Sequence, residues 1–209
     1  MKKALIVYGT RYGAAASTSE EIAETLRKEG FEVQVVNAKN EKVKDVAECD
    51  LVVVGSGIQI NKWTGEPEAF LKKFQKELAK KKVALFVCCG SASQTPSERE
   101  AKPDAAETAR RKYLEDKAAQ YHLQTVALGL FGGVYNYNKT PWWAKRFMEA
   151  DRQRIEAAYK EMEPGVYDTR DLNAVRNWTK ELIQKVRLSN GANFQTWFDL
   201  EAEPIPENS

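Results

Sequence analysis

The chain has 209 residues, 43% of them hydrophobic, and its 32 basic and 30 acidic side chains leave a net charge of +2. That apolar share supports one packed core and excludes a disordered chain. The charge balance lacks the basic excess of a nucleic-acid surface, and no apolar run is long enough to span a membrane. Lys2-Lys3 precede an apolar stretch that breaks at Gly9, too short for a secretory leader, so the expected compartment is the cytoplasm. Cys49, Cys88 and Cys89, with the single His122, give neither a disulfide framework nor a metal-ligand spacing. Cys49 and Cys88 read as small buried hydrophobes, and His122 as a helix-end residue.

In chain order, Ala4 to Tyr8 is an apolar strand that runs into the turn Gly9-Thr10-Arg11-Tyr12-Gly13. The hydroxyls of Ser17, Thr18 and Ser19, followed by Glu20-Glu21, predict the start of a helix that ends near Glu29 with Gly30 as its cap. Glu32 to Val36 alternates as a second strand, and Asp50 to Gly57 is a third, fully buried one. Ala69, Phe70, Phe74 and Leu78 keep helical spacing through Gly65 to Lys81. Val83 to Cys89 is a fourth strand, Ser97 to Tyr121 a charged helix, and Leu123 to Phe131 a fifth strand closed by Gly132-Gly133. An aromatic insertion at 134–165 follows, in which Pro141 opens a helix carrying Trp143, Phe147, Ile155, Tyr159 and Met162. A last helix spans Leu172 to Val186, so one domain covers 1–187 with a tail at 188–209. In that tail Phe194, Trp197 and Phe198 are candidates to dock on the body.

Alternating strands and helices imply a parallel sheet covered on both faces. Ligands of such sheets sit beyond the carboxyl ends of the strands, where this chain places four Gly- and Ser-rich loops. A hydroxyl-rich loop at a helix N-terminus suits a phosphate, since free N–H groups and the helix dipole both favour an anion. A nucleotide P-loop would need Lys and Ser/Thr after its second glycine, but Ala14-Ala15 follow Gly13. A dinucleotide fingerprint would need three glycines, and only Gly9 and Gly13 are present. Flavin mononucleotide, FMN, is the remaining option. A phospho-acceptor receiver would need clustered acids where Gly9-Thr10 and Gly55-Ser56 stand.

Thr10-Arg11-Tyr12-Gly13, Gly55-Ser56-Gly57-Ile58 and the helix from Gly65 to Phe74 resemble the flavodoxin fold. More narrowly, with Tyr135 to Met148, Asp168-Thr169-Arg170 and Trp178, they resemble the flavodoxin-domain branch that includes menaquinone-dependent protoporphyrinogen dehydrogenase. The resemblance implies an α/β, doubly wound, five-stranded parallel sheet of order 2-1-3-4-5 with helices on both faces. It implies that Thr10, Arg11, Tyr12, Gly13 and Ala14 wrap the FMN phosphate, with a hydroxyl of Ser17, Thr18 or Ser19 taking part. On that alignment Ala14 to Ser17 are four extra residues in the phosphate loop. Ser56, Gly57, Ile58 and Gln59 would edge the ring, Cys89 and Gly90 would lie on its pyrimidine side, and Gly132, Gly133 and Tyr135 would close the site.

Several roles stay open. Trp63 either stacks on the flavin or packs the third helix against the sheet. Arg11 either pairs with the phosphate or faces solvent. Tyr135, Tyr137, Trp142 and Trp143 form a lid or an interface patch. Gly57 is expected to turn its carbonyl toward the reactive edge of the ring. The implied activity is electron carriage through the flavin. The implied partners are a redox protein or a quinone or porphyrin substrate, with a homodimer as an open arrangement. The polar run Glu149 to Glu156 weakens the membrane-bound dehydrogenase reading relative to electron transfer.

Overall fold

A computed structural model describes residues 1–94, 96–139, 149 and 152–188. Its centre is a parallel sheet of β1 (Lys2–Gly9), β2 (Phe31–Asn37), β3 (Leu51–Gln59), β5 (Lys82–Cys88) and β6 (Thr125–Phe131), ordered β2-β1-β3-β5-β6. This is the expected 2-1-3-4-5 order, with the short β4 (Lys62–Trp63) added antiparallel to the end of β3. Successive strand residues face opposite sides. On β1, Leu5 and Val7 enter one core while Ala4 and Ile6 enter the other. The first core packs Val52, Val54 and Leu85 against Phe70, Leu71 and Leu114; the second packs Val53 and Phe86 against Ile22, Leu26, Leu182 and Ile183. Each such fully buried side chain contributes roughly 1.5–3 kcal/mol.

Helix α1 (Ala14–Lys28) starts earlier than its hydroxyl cluster suggests. Ser17 and Ser19 lie inside it and donate back to the carbonyls of Gly13 (3.1 Å) and Ala15 (2.8 Å). Its end is as expected: Gly30, at φ 84°, donates its N–H to the Arg27 carbonyl. The helix from Gly65 is interrupted at Phe74, giving α2 (Gly65–Lys73) and α3 (Gln75–Leu78). The charged helix is split as well, into α4 (Pro96–Ala101) and a run from α5 (Ala105–Arg110) to α6 (Asp116–Gln120). Pro103 stands in the break, because its ring and missing N–H do not fit a helix interior. A π-helical turn, Arg111–Glu115, joins α5 to α6. His122 follows α6 at φ 54°, the helix-end place expected of it.

The insertion differs most from expectation. With the residues that follow it, it forms a three-stranded antiparallel sheet, β7 (Val134–Asn136), β8 (Glu161–Glu163) and β9 (Val166–Asp168), ordered β7-β9-β8. Helix α7 covers 152–158, and Met162 belongs to β8 instead of the helical stripe. Ile155, Tyr137 and Tyr167 make a small core of their own. Pro141, Trp142, Trp143, Phe147 and the tail aromatics Phe194, Trp197 and Phe198 lie outside the described residues. The last helix, α8 (Leu172–Leu188), begins where the Asp171 carboxylate accepts the Ala174 N–H at 3.0 Å. No helix among the described residues is long and apolar enough to cross a membrane.

Candidate functional site

The carboxyl edge of the sheet gathers the loops after β1, β3, β5 and β6. The first is built around Gly13, which sits at φ 95° as the residue before α1. Left-handed backbone there favours glycine, and no Cβ crowds the spot. Thr10 Oγ1 accepts the Gly13 N–H at 2.9 Å, so Thr10 shapes the loop from within. No side chain caps α1, and Ala14, Ala15 and Ala16 carry no hydroxyl to do so. The first-turn N–H groups therefore have no side-chain acceptor, and a helix end of that kind suits an anion.

The three candidate hydroxyls all lie inside α1, and of them Ser17 is exposed. Thr18 and Ser19 are fully buried, and Thr18 Oγ1 lies 3.5 Å from Cys88 Sγ. Ala14 to Ser17 are the first turn of α1, so they are not extra loop residues. Arg11 is exposed, and its Nη1 donates to Glu66 Oε1 at 3.0 Å, tying the loop to the start of α2. Glu66 Oε2 is buried with no hydrogen-bond partner. Burial raises the Glu66 pKa, but its own backbone N–H and Arg11 outweigh that and hold it below the usual value. Tyr12 is half-buried.

The second loop is a hairpin rather than an open glycine turn. Gly57 remains in the ladder opposite Cys88, and its carbonyl accepts the Ser56 hydroxyl at 2.9 Å. Left-handed backbone falls instead on Ile60 (φ 48°) and Asn61 (φ 58°), between the paired Gln59 and Lys62. Two positive φ angles in a two-residue connection match the twist of a tight hairpin, and a β-branched residue there is strained. The Gly57 carbonyl, expected to turn toward the ring, here accepts the Ser56 hydroxyl. Ser56 is buried and bonded to Thr64, behind the edge. Trp63 takes the packing role: it is buried, and its Nε1 donates to the Tyr113 carbonyl at 2.8 Å. The Tyr113 hydroxyl returns to Asn61 Oδ1 at 2.9 Å, so the π-helical turn grips the hairpin twice.

Between this hairpin and the loop after β5 opens a cavity of about 420 Å³. Ile58, Ile60, Cys89, Gly90, Tyr113 and Tyr135 line one part of it, and the charged Glu98, Lys102 and Arg154 another. A Cβ at Gly90 would lie 2.5 Å from the Tyr135 hydroxyl, so a larger residue there would push that side chain aside. Gln59 is exposed at the hairpin. Gly132 packs against the Thr169 backbone, and Gly133 donates its N–H to Thr169 Oγ1 at 3.1 Å, so both serve the base of the insertion. Burial pushes the Cys88 thiol up to about 12 against the opposing Thr18 bond, and burial raises Cys89 too, which removes both as thiolates at neutral pH. Cys49 is only partly buried, unlike the buried hydrophobe expected.

Sequence reasoning passed over Asn61, Glu66, Tyr113 and Arg154. Only Asn61 carried a signal, as a residue that tolerates left-handed backbone. Arg154 comes from α7, pairs with Glu98 at 3.0 Å and reaches the Tyr135 hydroxyl at 3.4 Å. Among the described residues no cluster of His, Cys, Asp or Glu could hold a metal ion.

A family model described as a flavodoxin domain matches residues 5–160. A short-chain flavodoxin associated with a PDU bacterial microcompartment superposes with a TM-score of 0.55 at 13% identity, covering 89% of this chain and 99% of its own. Oxidised flavodoxin 1 from Bacillus cereus gives 0.51 at 15%, over 88% and 98%. Rubredoxin oxygen:oxidoreductase from Desulfovibrio gigas gives 0.55 at 13%, over 92% of this chain and 38% of that one. These identities speak for the fold, and the family match covers most of the chain: it belongs to the flavodoxin domain family.

Proposed function

We propose that this chain binds FMN and carries electrons through it, as a flavodoxin-type redox protein of the cytoplasm. One observation carries the reading. An uncapped helix start that suits a phosphate and a partly aromatic cavity that suits a flat ring open on the same edge of the sheet. Backbone N–H groups of Tyr12 and Ala14, in a loop where Thr10 takes the Gly13 N–H, would hold the phosphate. Ile58, Gln59, Cys89, Gly90 and Tyr135 would border the ring. Ser56, Trp63, Thr18, Gly132 and Gly133 would support these from behind. Bound FMN supplies one- and two-electron redox chemistry, and the protein's part is to place the ring and limit its access to water.

The purified protein tests this through its visible spectrum. Flavin bands, with FMN released on heating or taken up on reconstitution, are expected. A colourless protein that FMN cannot reconstitute overturns the reading.

A second reading has its own observation: Tyr135 and Arg154, both from the insertion, stand at the cavity wall. There they would meet a bulky substrate, such as a quinone or protoporphyrinogen, on which the flavin would act as a dehydrogenase or reductase. Complementation of a strain lacking protoporphyrinogen dehydrogenase separates the two. Growth without added haem favours the enzyme, and its absence favours the carrier, whose partner is then a redox protein.

A further inference from the structure

Behind the phosphate loop, a line of hydrogen bonds runs back into the insertion. Thr10 Oγ1 accepts the Gly13 N–H at 2.9 Å, and the Gly13 carbonyl accepts both the N–H and the hydroxyl of Ser17 at 3.1 Å. Ser17 Oγ in turn accepts from Arg170 Nη1 at 2.5 Å. The same Nη1 lies 3.4 Å from the Ala14 carbonyl and from Thr18 Oγ1, so it touches the start of α1 at three residues. Arg170 is held from the other side by Asp168, the last residue of β9. Nε meets Oδ1 at 2.9 Å and Nη2 meets Oδ2 at 2.6 Å, while the Arg170 N–H also donates to Oδ1 at 3.0 Å.

The guanidinium side chain is only 7% exposed. A planar fork gripped by a carboxylate on one edge has little freedom left. Its position therefore fixes Ser17, and Ser17 fixes the carbonyl of Gly13, the residue whose left-handed φ shapes the loop.

We infer that Arg170 is a positioning residue for the FMN phosphate, acting through Ser17, and that the Asp168–Arg170 pair makes the phosphate loop depend on the docked insertion. The inference rests on the FMN reading above. It assigns Arg170 no direct contact with the phosphate. It predicts that the phosphate and the Asp168–Arg170 pair favour the same conformation of the loop, since coupling between two sites is reciprocal.

The test compares dissociation constants for FMN and riboflavin, which share the ring and ribityl chain and differ in the phosphate. Arg170→Met should weaken FMN binding by about tenfold, the scale of one lost charge-assisted hydrogen bond. Riboflavin binding should barely change. Ser17→Ala, a milder change at an exposed hydroxyl, should reproduce much of the loss, and the double variant should be no worse than Arg170→Met alone. Arg170→Lys should recover part of it. In the protein without flavin, the Ser17 amide should exchange faster in both single variants. An unchanged FMN-to-riboflavin ratio in Arg170→Met and Ser17→Ala overturns the inference, as does an equal loss for both ligands. Wild-type protein that binds neither ligand overturns the FMN reading itself, and the inference with it.

Discussion

Trp63 decides between two accounts of the hairpin beside the cavity, and Trp63→Phe separates them by magnitude. In the structure its indole N–H is the donor to the buried Tyr113 carbonyl, in the π-helical turn of the neighbouring helix. Phenylalanine keeps most of the apolar contact and removes that donor. A buried carbonyl left without a partner costs about 1–3 kcal/mol. The vacated part of the indole adds roughly 1 kcal/mol through imperfect repacking. The total, about 2–4 kcal/mol, corresponds in a chain of this size to a fall in Tm on the order of 5–15 °C. Guanidinium and thermal unfolding of the flavin-free protein measure it. The flavin spectrum of the reconstituted variant should stay close to wild type, because Trp63 sits behind the cavity wall. Stability within about 0.5 kcal/mol of wild type, together with a marked change in flavin fluorescence, would refute this and put Trp63 on the ring.

Thr10→Ala removes the acceptor for the Gly13 N–H. At about 1 kcal/mol for that bond, FMN should bind roughly fivefold more weakly, while the separation of the two flavin potentials stays unchanged in a redox titration. Burial raises the Asp168 pKa, but the side-chain and backbone bonds of Arg170 outweigh it and hold it below the ordinary 3.8. The unfolded chain therefore takes up this proton first, so the contribution to stability is present above that value and is lost as pH falls through the folded one. Denaturation between pH 5 and pH 2 (roughly the span of that loss) should show a shallower acid decline in Asp168→Asn than in wild type. With the Cys88 thiol pushed up to about 12 and Cys89 raised by burial, iodoacetamide at neutral pH should modify neither in the folded protein. Mass spectrometry of the alkylated protein checks it.

The parts of this fold that burial alone dictates were open to sequence reading. Leu51 to Val54 and Val83 to Val87 are apolar on both faces, as strands covered by helices on both sides must be. Gly13 and Gly30 mark both ends of α1 because each needs φ above zero. The start of α1 misled because Ser17 and Ser19 look like caps, whereas inside a helix the same hydroxyls bond back to carbonyls four residues earlier. Ala14 to Ala16, strong helix formers, carried the better signal. Strands β7, β8 and β9 are three residues each, too short for a period of two to register.

The candidate site was legible where one residue shapes its own loop, as Thr10 and Gly13 do. It was illegible where distant segments meet. Trp63 and Tyr113 are 50 positions apart, and Arg170 reaches back 153 positions to Ser17. Arg11 could be read as a phosphate partner or a solvent-facing cation but not as the partner of Glu66, which lies 55 positions away. Glycine at 57 suggested a turning peptide, but the ladder with Cys88 holds it extended, and the left-handed turn passes to Ile60 and Asn61.

The most direct measurement of where the flavin sits is a titration of the isotope-labelled protein with FMN, followed by its amide N–H correlation spectrum. The account predicts that the largest shifts fall on Thr10 to Ala16, on Gly57 to Asn61 and on Cys89 to Gly90, three separated stretches that only the carboxyl edge of this sheet brings together. Shifts confined to other surfaces, or no shifts with FMN in excess, would contradict it.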